Sequence, residues 1–175
     1  MPNNPPHTTI RRTTAADAAT LAALGAATFT ETFGHLYPPE DLQVFLTGSH
    51  SVDAWVRTLA DSQRAVWIAT LDDATPIGFI AVGACKLPIE NREQNAGEIQ
   101  QLYVLARHHN LRLGSRLMDI ALEWLEAQGR TPLYIGVWSE NPGAQRFYAR
   151  YGFNKVGEYG FPVGKTVDRE FILRR

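Results

Sequence analysis

The sequence lacks an excess of charge of either sign and has almost no cysteine. Its 175 residues contain 17 Lys and Arg against 18 Asp and Glu, which gives a net charge of −1. No overall field therefore draws the protein to nucleic acid or to a membrane surface, and a charged ligand has to be bound by local groups. The single cysteine, Cys85, cannot form an intramolecular disulfide, and the stretch "VGACK" predicts a buried structural thiol.

The N-terminus lacks both a basic start and a long apolar run. The stretch "MPNNPPHTT" therefore predicts neither a signal peptide nor a transmembrane segment. We expect a cytoplasmic protein with no nucleic-acid or membrane partner. Residues 1–7 predict a flexible arm, and residues 8–175 predict a single domain with one buried core, since 45% of the chain is hydrophobic.

Strand and helix patterns alternate along the rest of the chain. A short first strand, "TTIRRTT", precedes three helical segments, "AADAATLAALGAATFTETF", "PPEDLQVFL" and "SVDAWVRTLADS". Two strands of a hairpin follow, "AVWIATL" and "IGFIAVGACKL", and the chain closes with an antiparallel pair, "FNKVGEYGF" and "VDREFILR". Between them stand two strand-to-helix connections, "YVLARHHNLRLGSRLM" and "IGVWSENPGAQRFY". This order predicts a mixed sheet whose middle strands lead directly into helices.

The first strand-to-helix connection has the features of an anion site. A helix that starts directly after a strand presents free backbone N–H groups and the positive end of its dipole, which together favour a phosphate. The residues of this turn are His109, Asn110, Leu111, Arg112, Leu113, Gly114 and Ser115. Arg107 and Arg116 add positive charge close by. Taken alone, the segment is equally compatible with an ordinary basic loop in which Gly114 only allows close helix packing.

The second connection leads into a capped helix. Asn141 suits the N-cap position, Pro142 the first turn and Gly152 the end of this helix. Tyr148 stands two turns after the cap. Together with Phe147 it could also belong to the apolar face of the helix, so the pattern leaves both interpretations open.

The two connections in this order resemble the GNAT superfamily of N-acetyltransferases. In that family a strand of the type "LYV" leads into a loop patterned Gln/Arg-x-x-Gly-x-Gly/Ala, which binds the pyrophosphate of acetyl-CoA, and an Asn-x-x-Ala…Phe-Tyr…Gly-Phe helix completes the cleft. The resemblance implies an α/β (α+β) fold, with a mixed, mostly antiparallel central sheet of about seven strands flanked by helices. It also implies acetyl-CoA as co-substrate and no metal.

Two positions of the loop depart from the family pattern. His109 stands where the family prefers Gln or Arg, and Arg112 stands where it prefers the first glycine. A site made of main-chain N–H groups tolerates both changes, because a helical residue offers its amide without a positive φ. Treated as such a helical residue, Arg112 needs no positive φ, and its side chain would point outward or pair with a phosphate.

The resemblance also implies roles for residues of the cleft. Leu102, Tyr103 and Val104 belong to the strand that contacts the pantetheine arm of the cofactor. The Leu102 amide would lie near the thioester oxygen and stabilise the oxyanion. Asn141 would hydrogen-bond the arm from the other wall, and Tyr148 would protonate the departing CoA thiolate.

A base for the acceptor amine is predicted from strand alternation. Along "EIQQLYV", alternation places Glu98 on one face with Gln100, Leu102 and Val104. Glu98 is therefore the first candidate to take the amine proton, directly or through a water. A solvated carboxylate at the start of a strand, with the proton leaving through a water chain, is the alternative.

The N-terminal part of the chain narrows the choice of acceptor substrate. The stretch "TFTETFGHLYPPEDLQVFL", with "YIGVWSENPGAQRFYARYGF" near the end, is similar to bacterial PaiA-type polyamine acetyltransferases. We expect Glu31, Phe33 and Tyr37 to bind the acceptor, because ammonium groups need carboxylates and methylenes need apolar or aromatic walls. The resemblance implies a small primary amine, for which a polyamine is the leading candidate. A peptide or protein amine, a non-catalytic acyl-CoA sensor and a homodimer stay open.

Overall fold

The computed structural model describes residues 7–175, apart from the side chain of Asn110. The predicted flexible arm, residues 1–7, lies outside the described residues except for His7, whose Nδ1 is 2.9 Å from Asp72 Oδ1. Between residues 7 and 175, none of the helices has both the length and the hydrophobicity needed to cross a membrane.

The strands of the described residues form one sheet in the order β1-β2-β3-β4-β5-β7-β6. Their bounds are β1 Thr8–Arg12, β2 Arg64–Leu71, β3 Pro76–Ala84, β4 Gly97–Val104, β5 Leu133–Trp138, β6 Asn154–Val163 and β7 Thr166–Arg174. Neighbouring strands are antiparallel except β4 and β5, which run parallel. The prediction of a mixed, mostly antiparallel sheet of about seven strands is confirmed.

Helices cover both faces of this sheet. Their bounds are α1 Ala18–Phe33, α2 Pro39–Ser49, α3 Val52–Ala60, α4 Leu113–Ala127 and α5 Pro142–Ala149. Each corresponds to a predicted segment, with ends that shift by a few residues. Short 3₁₀ segments were not predicted, because a single turn has no periodicity to detect. The one that matters for the cleft, Ala106–Leu111, joins β4 to α4.

The core has two halves, one on each side of the sheet. Leu113, Leu117 and Leu125 of α4 are fully buried against one face. Leu21 of α1 and Trp55 of α3 are buried against the other. Because both faces of β2 and β3 are covered, these strands read as nearly continuous apolar runs in the sequence.

The Cys85 thiol lies just after β3 and is buried. Burial raises its pKa to about 11, so the sulfur stays protonated at neutral pH. The prediction of a buried structural thiol is confirmed.

Helix α2 is tied to the turn between β6 and β7 by the carboxylate of Asp41. Asp41 accepts hydrogen bonds from the amides of Lys165 at 2.9 Å and Thr166 at 3.1 Å, and from the Thr166 hydroxyl at 2.8 Å. Gly164 completes this turn with a φ of +59°, and a Cβ on it would lie 2.4 Å from Asp41 Oδ1. These contacts hold α2 over the β6–β7 end of the sheet.

Strands β4 and β5 separate after only two residue pairs, Gly97–Leu133 and Glu98–Tyr134. At the same place β4 has an extra residue relative to β3, since Ala81 pairs with Gln101 and Val82 pairs with Ile99. The extra residue is Gln100, and it forms a β-bulge. Beyond the bulge, the side of β4 that faces β5 has no strand partner within residues 7–175.

Because of the bulge, the Glu98 side chain lies on the face of β4 opposite to the predicted one. Leu102 and Val104 pack with Ile99 in the core half under α4. Tyr103 packs on the opposite side, under α1. Because Glu98 precedes the bulge and Ile99 faces α4, Glu98 shares its face with Tyr103 and not with Leu102. The prediction that Glu98, Gln100, Leu102 and Val104 share one face is therefore wrong.

The side chain of Gln100 is expected to stabilise the bulge. Its Oε1 accepts from Arg64 Nε at 2.8 Å, and its Nε2 donates to Ala84 O at 3.2 Å. We expect Gln100→Leu to lower the free energy of unfolding in urea by about 1–3 kcal/mol, because the Nε–H of Arg64 loses its acceptor.

The matched control is Gln101→Leu, since the Gln101 side chain makes no hydrogen bond to residues 7–175 and lies at the next position of the same strand. Gln101→Leu should lower the free energy of unfolding clearly less than Gln100→Leu does. Equal losses for the two variants would show that the Arg64–Gln100 contact does not hold the bulge.

Candidate functional site

The gap between β4 and β5 opens into two adjoining cavities. The inner cavity, of about 440 Å³, lies between the sheet and helices α1 and α2. The outer cavity, of about 600 Å³, lies at the start of α4 and along α5. Residues that line both cavities form their junction: Phe33, Leu102, Tyr103, Asn141, Ala144 and Tyr148. The two cavities are therefore halves of one cleft.

Charged side chains divide between the two halves by sign. The lining of the inner cavity includes Glu98, Asp168 and Glu170, with no lysine or arginine among its members. The lining of the outer cavity includes Arg112 and Arg150, with no aspartate or glutamate among its members. The inner half is suited to a cation and the outer half to an anion.

The predicted phosphate loop contributes part of the outer cavity. His109, Arg112, Gly114 and Ser115 line it. Leu113 instead points into the core, where it is fully buried. Leu111 packs against the same core, so these two residues can offer a ligand only their main chain. The side chain of Asn110 lies outside the described part of the chain.

The nearby arginines do not all face the outer cavity. The guanidinium of Arg116 donates to the carbonyl and the hydroxyl of Thr8, which directs its charge toward β1. Arg107 Nε donates to His108 Nε2 at 3.0 Å. Arg150, which the sequence did not single out, lines the cavity and lies 5.3 Å from the Phe147 ring centroid. Its only signal was a basic residue near the end of the predicted helix.

Arg112 has a left-handed backbone, with φ +54° and ψ +22°. The premise that Arg112 is a helical residue with no need of a positive φ is therefore wrong. Arg112 ends the 3₁₀ segment and is the N-cap of α4, so the chain must change direction there. For a residue with a Cβ this conformation costs about 1–2 kcal/mol, which is the physical reason for a glycine preference at such a position.

The main chain of β4 presents polar groups at the junction. Leu105 N donates to Ile77 O at 2.9 Å, so the amides of residues 105, 103 and 101 point toward β3. The amides of Leu102 and Val104 point the other way, into the gap. The carbonyl of Val104 accepts from His109 Nε2 at 2.8 Å, which leaves the two amides as donors to a ligand.

Asn141 and Tyr148 reach the junction from α5. Asn141 Oδ1 accepts from Ala144 N at 3.0 Å, which confirms the predicted N-cap and leaves its Nδ2 as a donor. Tyr148 is only 7% exposed, and it lines both cavities. Burial raises the pKa of its phenol well above the usual value, so at neutral pH the hydroxyl carries a proton that it can donate.

The buried Glu98 and the half-buried Glu170 form part of the wall of the inner cavity. Glu98 Oε2 accepts from Lys86 N at 2.7 Å, and Glu170 Oε2 accepts from the Tyr159 hydroxyl at 2.6 Å. Burial raises the pKa of both carboxyls. A Cβ on Gly136 would lie 2.6 Å from Tyr159 Oη, so the Tyr159–Glu170 pair needs a glycine on β5.

The sequence reasoning missed the acidic residues of β7. Asp168 and Glu170 alternate along "VDREFILR", so they lie on one face of the strand. Their signal was two acidic side chains at alternate positions of a predicted strand. Their placement in the cleft depends on β7 pairing between β5 and β6, which local patterns do not reveal.

Helix α1 provides the roof of the inner cavity. Phe33 and Tyr37 line the cavity as expected, and the Tyr37 hydroxyl donates to Asp168. Glu31 is not part of the lining. Its Oε2 accepts from Ala106 N at 2.9 Å and so caps the 3₁₀ segment. The expected position of Glu31 in the acceptor wall is wrong, because α1 turns its Phe29 and Phe33 face inward and Glu31 outward.

The fold and the divided cleft define an N-acetyltransferase. Residues 27–153 match the Acetyltransferase (GNAT) family, and the chain belongs to this family.

Relatives of similar length share this assignment. The chain is 29% identical to an uncharacterized N-acetyltransferase of Mycobacterium bovis over 159 residues, which are 91% of this chain and 97% of that protein. It is 26% identical to one from Lactobacillus delbrueckii subsp. lactis over 153 residues, 87% and 88% of the two chains. The fold is similar to that of the PaiA N-acetyltransferase of Thermoplasma acidophilum, solved in complex with coenzyme A, with a TM-score of 0.76 at 20% identity over 97% of this chain and 98% of that chain.

The left-handed backbone at Arg112 predicts a stability gain from glycine. Arg112→Gly should raise the free energy of unfolding by up to about 1 kcal/mol, because relief of the left-handed conformation is partly offset by the freer unfolded chain. Urea denaturation measures this.

The control is Arg112→Ala, which removes the same guanidinium but keeps a Cβ in the left-handed region. We expect no gain from it. If alanine and glycine have the same stability, the backbone at this position is not strained.

Proposed function

We propose that the protein transfers an acetyl group from acetyl-CoA to a primary amine, with a polyamine as the favoured acceptor, by direct attack in a ternary complex. The observation that carries this proposal is the division of charge along one continuous cleft. Coenzyme A is a polyanion and an alkylammonium is a cation. Opposite ends of the cleft therefore attract the two substrates, and the reacting atoms meet at the junction.

The outer cavity suits acetyl-CoA. The first amides of α4, at Gly114 and Ser115, and the positive end of its dipole would receive the pyrophosphate. Arg112 and Arg150 would add charge-assisted contacts to phosphate oxygens. The pantetheine arm would then run along β4 in the manner of an added strand. The amides of Leu102 and Val104, which point into the gap, favour this path because they can donate hydrogen bonds to the arm. The coenzyme A bound by the Thermoplasma PaiA protein, which shares the fold, supports this choice of co-substrate.

The chemistry at the junction needs one hydrogen-bond donor to the oxyanion and one general acid. The amine nitrogen attacks the thioester carbonyl and forms the C–N bond, and the Leu102 amide stabilises the resulting oxyanion. The intermediate then expels the thiolate, and Tyr148 donates its proton to the sulfur. The proton lost by the amine passes to Glu98 or Glu170. Cys85 is outside both cavities, so no acetyl-cysteine intermediate is proposed.

The inner cavity favours a small amine over a peptide. Its carboxylates suit ammonium groups, and Phe29, Phe33 and Phe45 offer aromatic walls to methylenes. Helix α2, held down by Asp41, covers this half of the cleft. A protein segment would have to displace that cover.

Replacement of the proposed acid tests the mechanism. Tyr148→Phe should lower kcat about 10²- to 10³-fold while leaving the KM for acetyl-CoA nearly unchanged, because the ring stays and only the proton is lost. Thiol release with spermidine or putrescine measures both constants. Tyr151→Phe is the matched control, since the Tyr151 side chain lines neither cavity and its hydroxyl donates to Asp119 and to the carbonyl of Ser115. Turnover at the parent rate in Tyr148→Phe would exclude Tyr148 as the acid.

The pH dependence distinguishes the two carboxylates. The base must be deprotonated to act, and burial raises the pKa of both groups, so kcat/KM should rise with pH through a step above the ordinary glutamate value of about 4.3. We expect that one of the two variants, Glu98→Gln or Glu170→Gln, no longer shows this step and has a kcat/KM about 10²-fold lower than the parent. The other variant should keep it. A step that survives in both variants would mean that neither carboxylate is the base.

A further inference from the structure

His50 lines the inner cavity and has no role in the mechanism above. It follows α2 directly, and only 4% of it is exposed. Neither ring nitrogen has a hydrogen-bond partner within residues 7–175. A buried polar atom without a partner costs about 1–3 kcal/mol, so native proteins usually supply one from a ligand or a water.

The His50 ring is held in place by aromatic neighbours and by α1. Its centroid lies 6.0 Å from that of Phe29, 5.9 Å from that of Phe45 and 6.3 Å from that of Trp55. On the other side a Cβ at Gly25 would lie 2.3 Å from His50 Nδ1. Since the Nδ1 edge is pressed against α1, Nε2 is the nitrogen that remains for a ligand.

The imidazole is a neutral hydrogen-bonding group. Burial lowers the pKa of His50 to about 4, and no charged side chain opposes that shift. The carboxylates of the cavity come from β4 and β7, on the sheet side, whereas His50 comes from the helical side. A neutral imidazole donates at one nitrogen and accepts at the other, so it can bond either an amine or a hydroxyl.

The two kinds of group in the cavity recognise different parts of an acceptor. Glu98, Asp168 and Glu170 attract any ammonium, whatever the rest of the molecule carries. Phe29 and Phe45 contact methylenes equally in all alkyl chains. Only a hydrogen-bonding group beyond the methylenes can satisfy a buried imidazole, and a methyl group in its place leaves Nε2 without a partner.

We propose that His50 determines acceptor specificity by hydrogen-bonding a polar group at the far end of the substrate. The enzyme then selects primary amines that carry a second amine or hydroxyl over alkylamines of the same length. This inference rests on the proposed amine acetyltransfer.

The test compares matched acceptors with the parent and two variants. Each set contains a diamine, an amino alcohol and an alkylamine of equal length, namely putrescine, aminobutanol and pentylamine, and the set is repeated with longer chains. We expect the parent to prefer the polar-ended members about tenfold or more in kcat/KM. In His50→Leu this preference should fall about tenfold, because the KM of the polar-ended amines rises. The kcat/KM for pentylamine should change less than about twofold. His50→Gln, which keeps a hydrogen-bonding group, should retain most of the preference.

The outcomes separate this inference from the proposed function. Absence of turnover with every amine in the parent would overturn the proposed function. Turnover without a preference for polar-ended acceptors, or a preference that His50→Leu leaves intact, would overturn only the role of His50. A preference for the diamine alone identifies an amine as the far group, and an equal preference for the amino alcohol identifies a general hydrogen bond.

A measurement on the parent protein avoids dependence on the folding of the variants. The chain has five histidines, so the imidazole ¹⁵N resonances can be assigned by single substitution. Titration with putrescine in the presence of coenzyme A should shift the Nε2 resonance of His50, and pentylamine should not. Equal shifts with both amines would contradict a hydrogen bond to the far group.

Discussion

The separation of β4 from β5 is the constraint on which the rest of the cleft depends. A backbone amide that is buried needs a partner, and in a complete parallel ladder β5 would supply one to Leu102 and Val104. Pairing stops at Glu98–Tyr134 instead. The main chain of β4 therefore presents amides without a strand partner at an edge inside the protein. This arrangement gives the junction donors that no substitution except proline can remove.

Short carboxylate contacts to the main chain hold the two ends of this cleft. Asp41 binds the amides of the β6–β7 turn, and Glu31 binds the amide of Ala106 at the start of the 3₁₀ segment. Both residues belong to the helical segments that cover the inner cavity. Their charge is satisfied by backbone N–H groups, so they shape the site and do not supply its charge. The charge comes from the sheet, where Glu98 is buried and Glu170 is half-buried.

Local spacing in the sequence predicts the features that depend on neighbouring residues. The strands, the helices, the Asn141 cap and the place of Tyr148 on α5 are of this kind. Local spacing does not predict features that depend on pairing between distant parts of the chain. The bulge at Gln100 reverses the face of Glu98, and the insertion of β7 between β5 and β6 brings Glu170 into the cleft. The left-handed Arg112 escapes for a third reason, since a positive φ at a residue with a Cβ has no sequence signal.

In the proposed mechanism, the carboxylates of the inner cavity link acceptor binding to proton transfer. Desolvation raises the pKa of Glu170 most, and the nearby charges of Asp168 and Glu98 raise it further. A cation entering the inner cavity has the opposite effect on each carboxyl, because it stabilises the charged form. Like charges in one cavity cannot all ionise equally, so their titrations separate. In the proposed mechanism, one carboxylate then stays ionised while another remains basic enough to take the proton of the reacting amine.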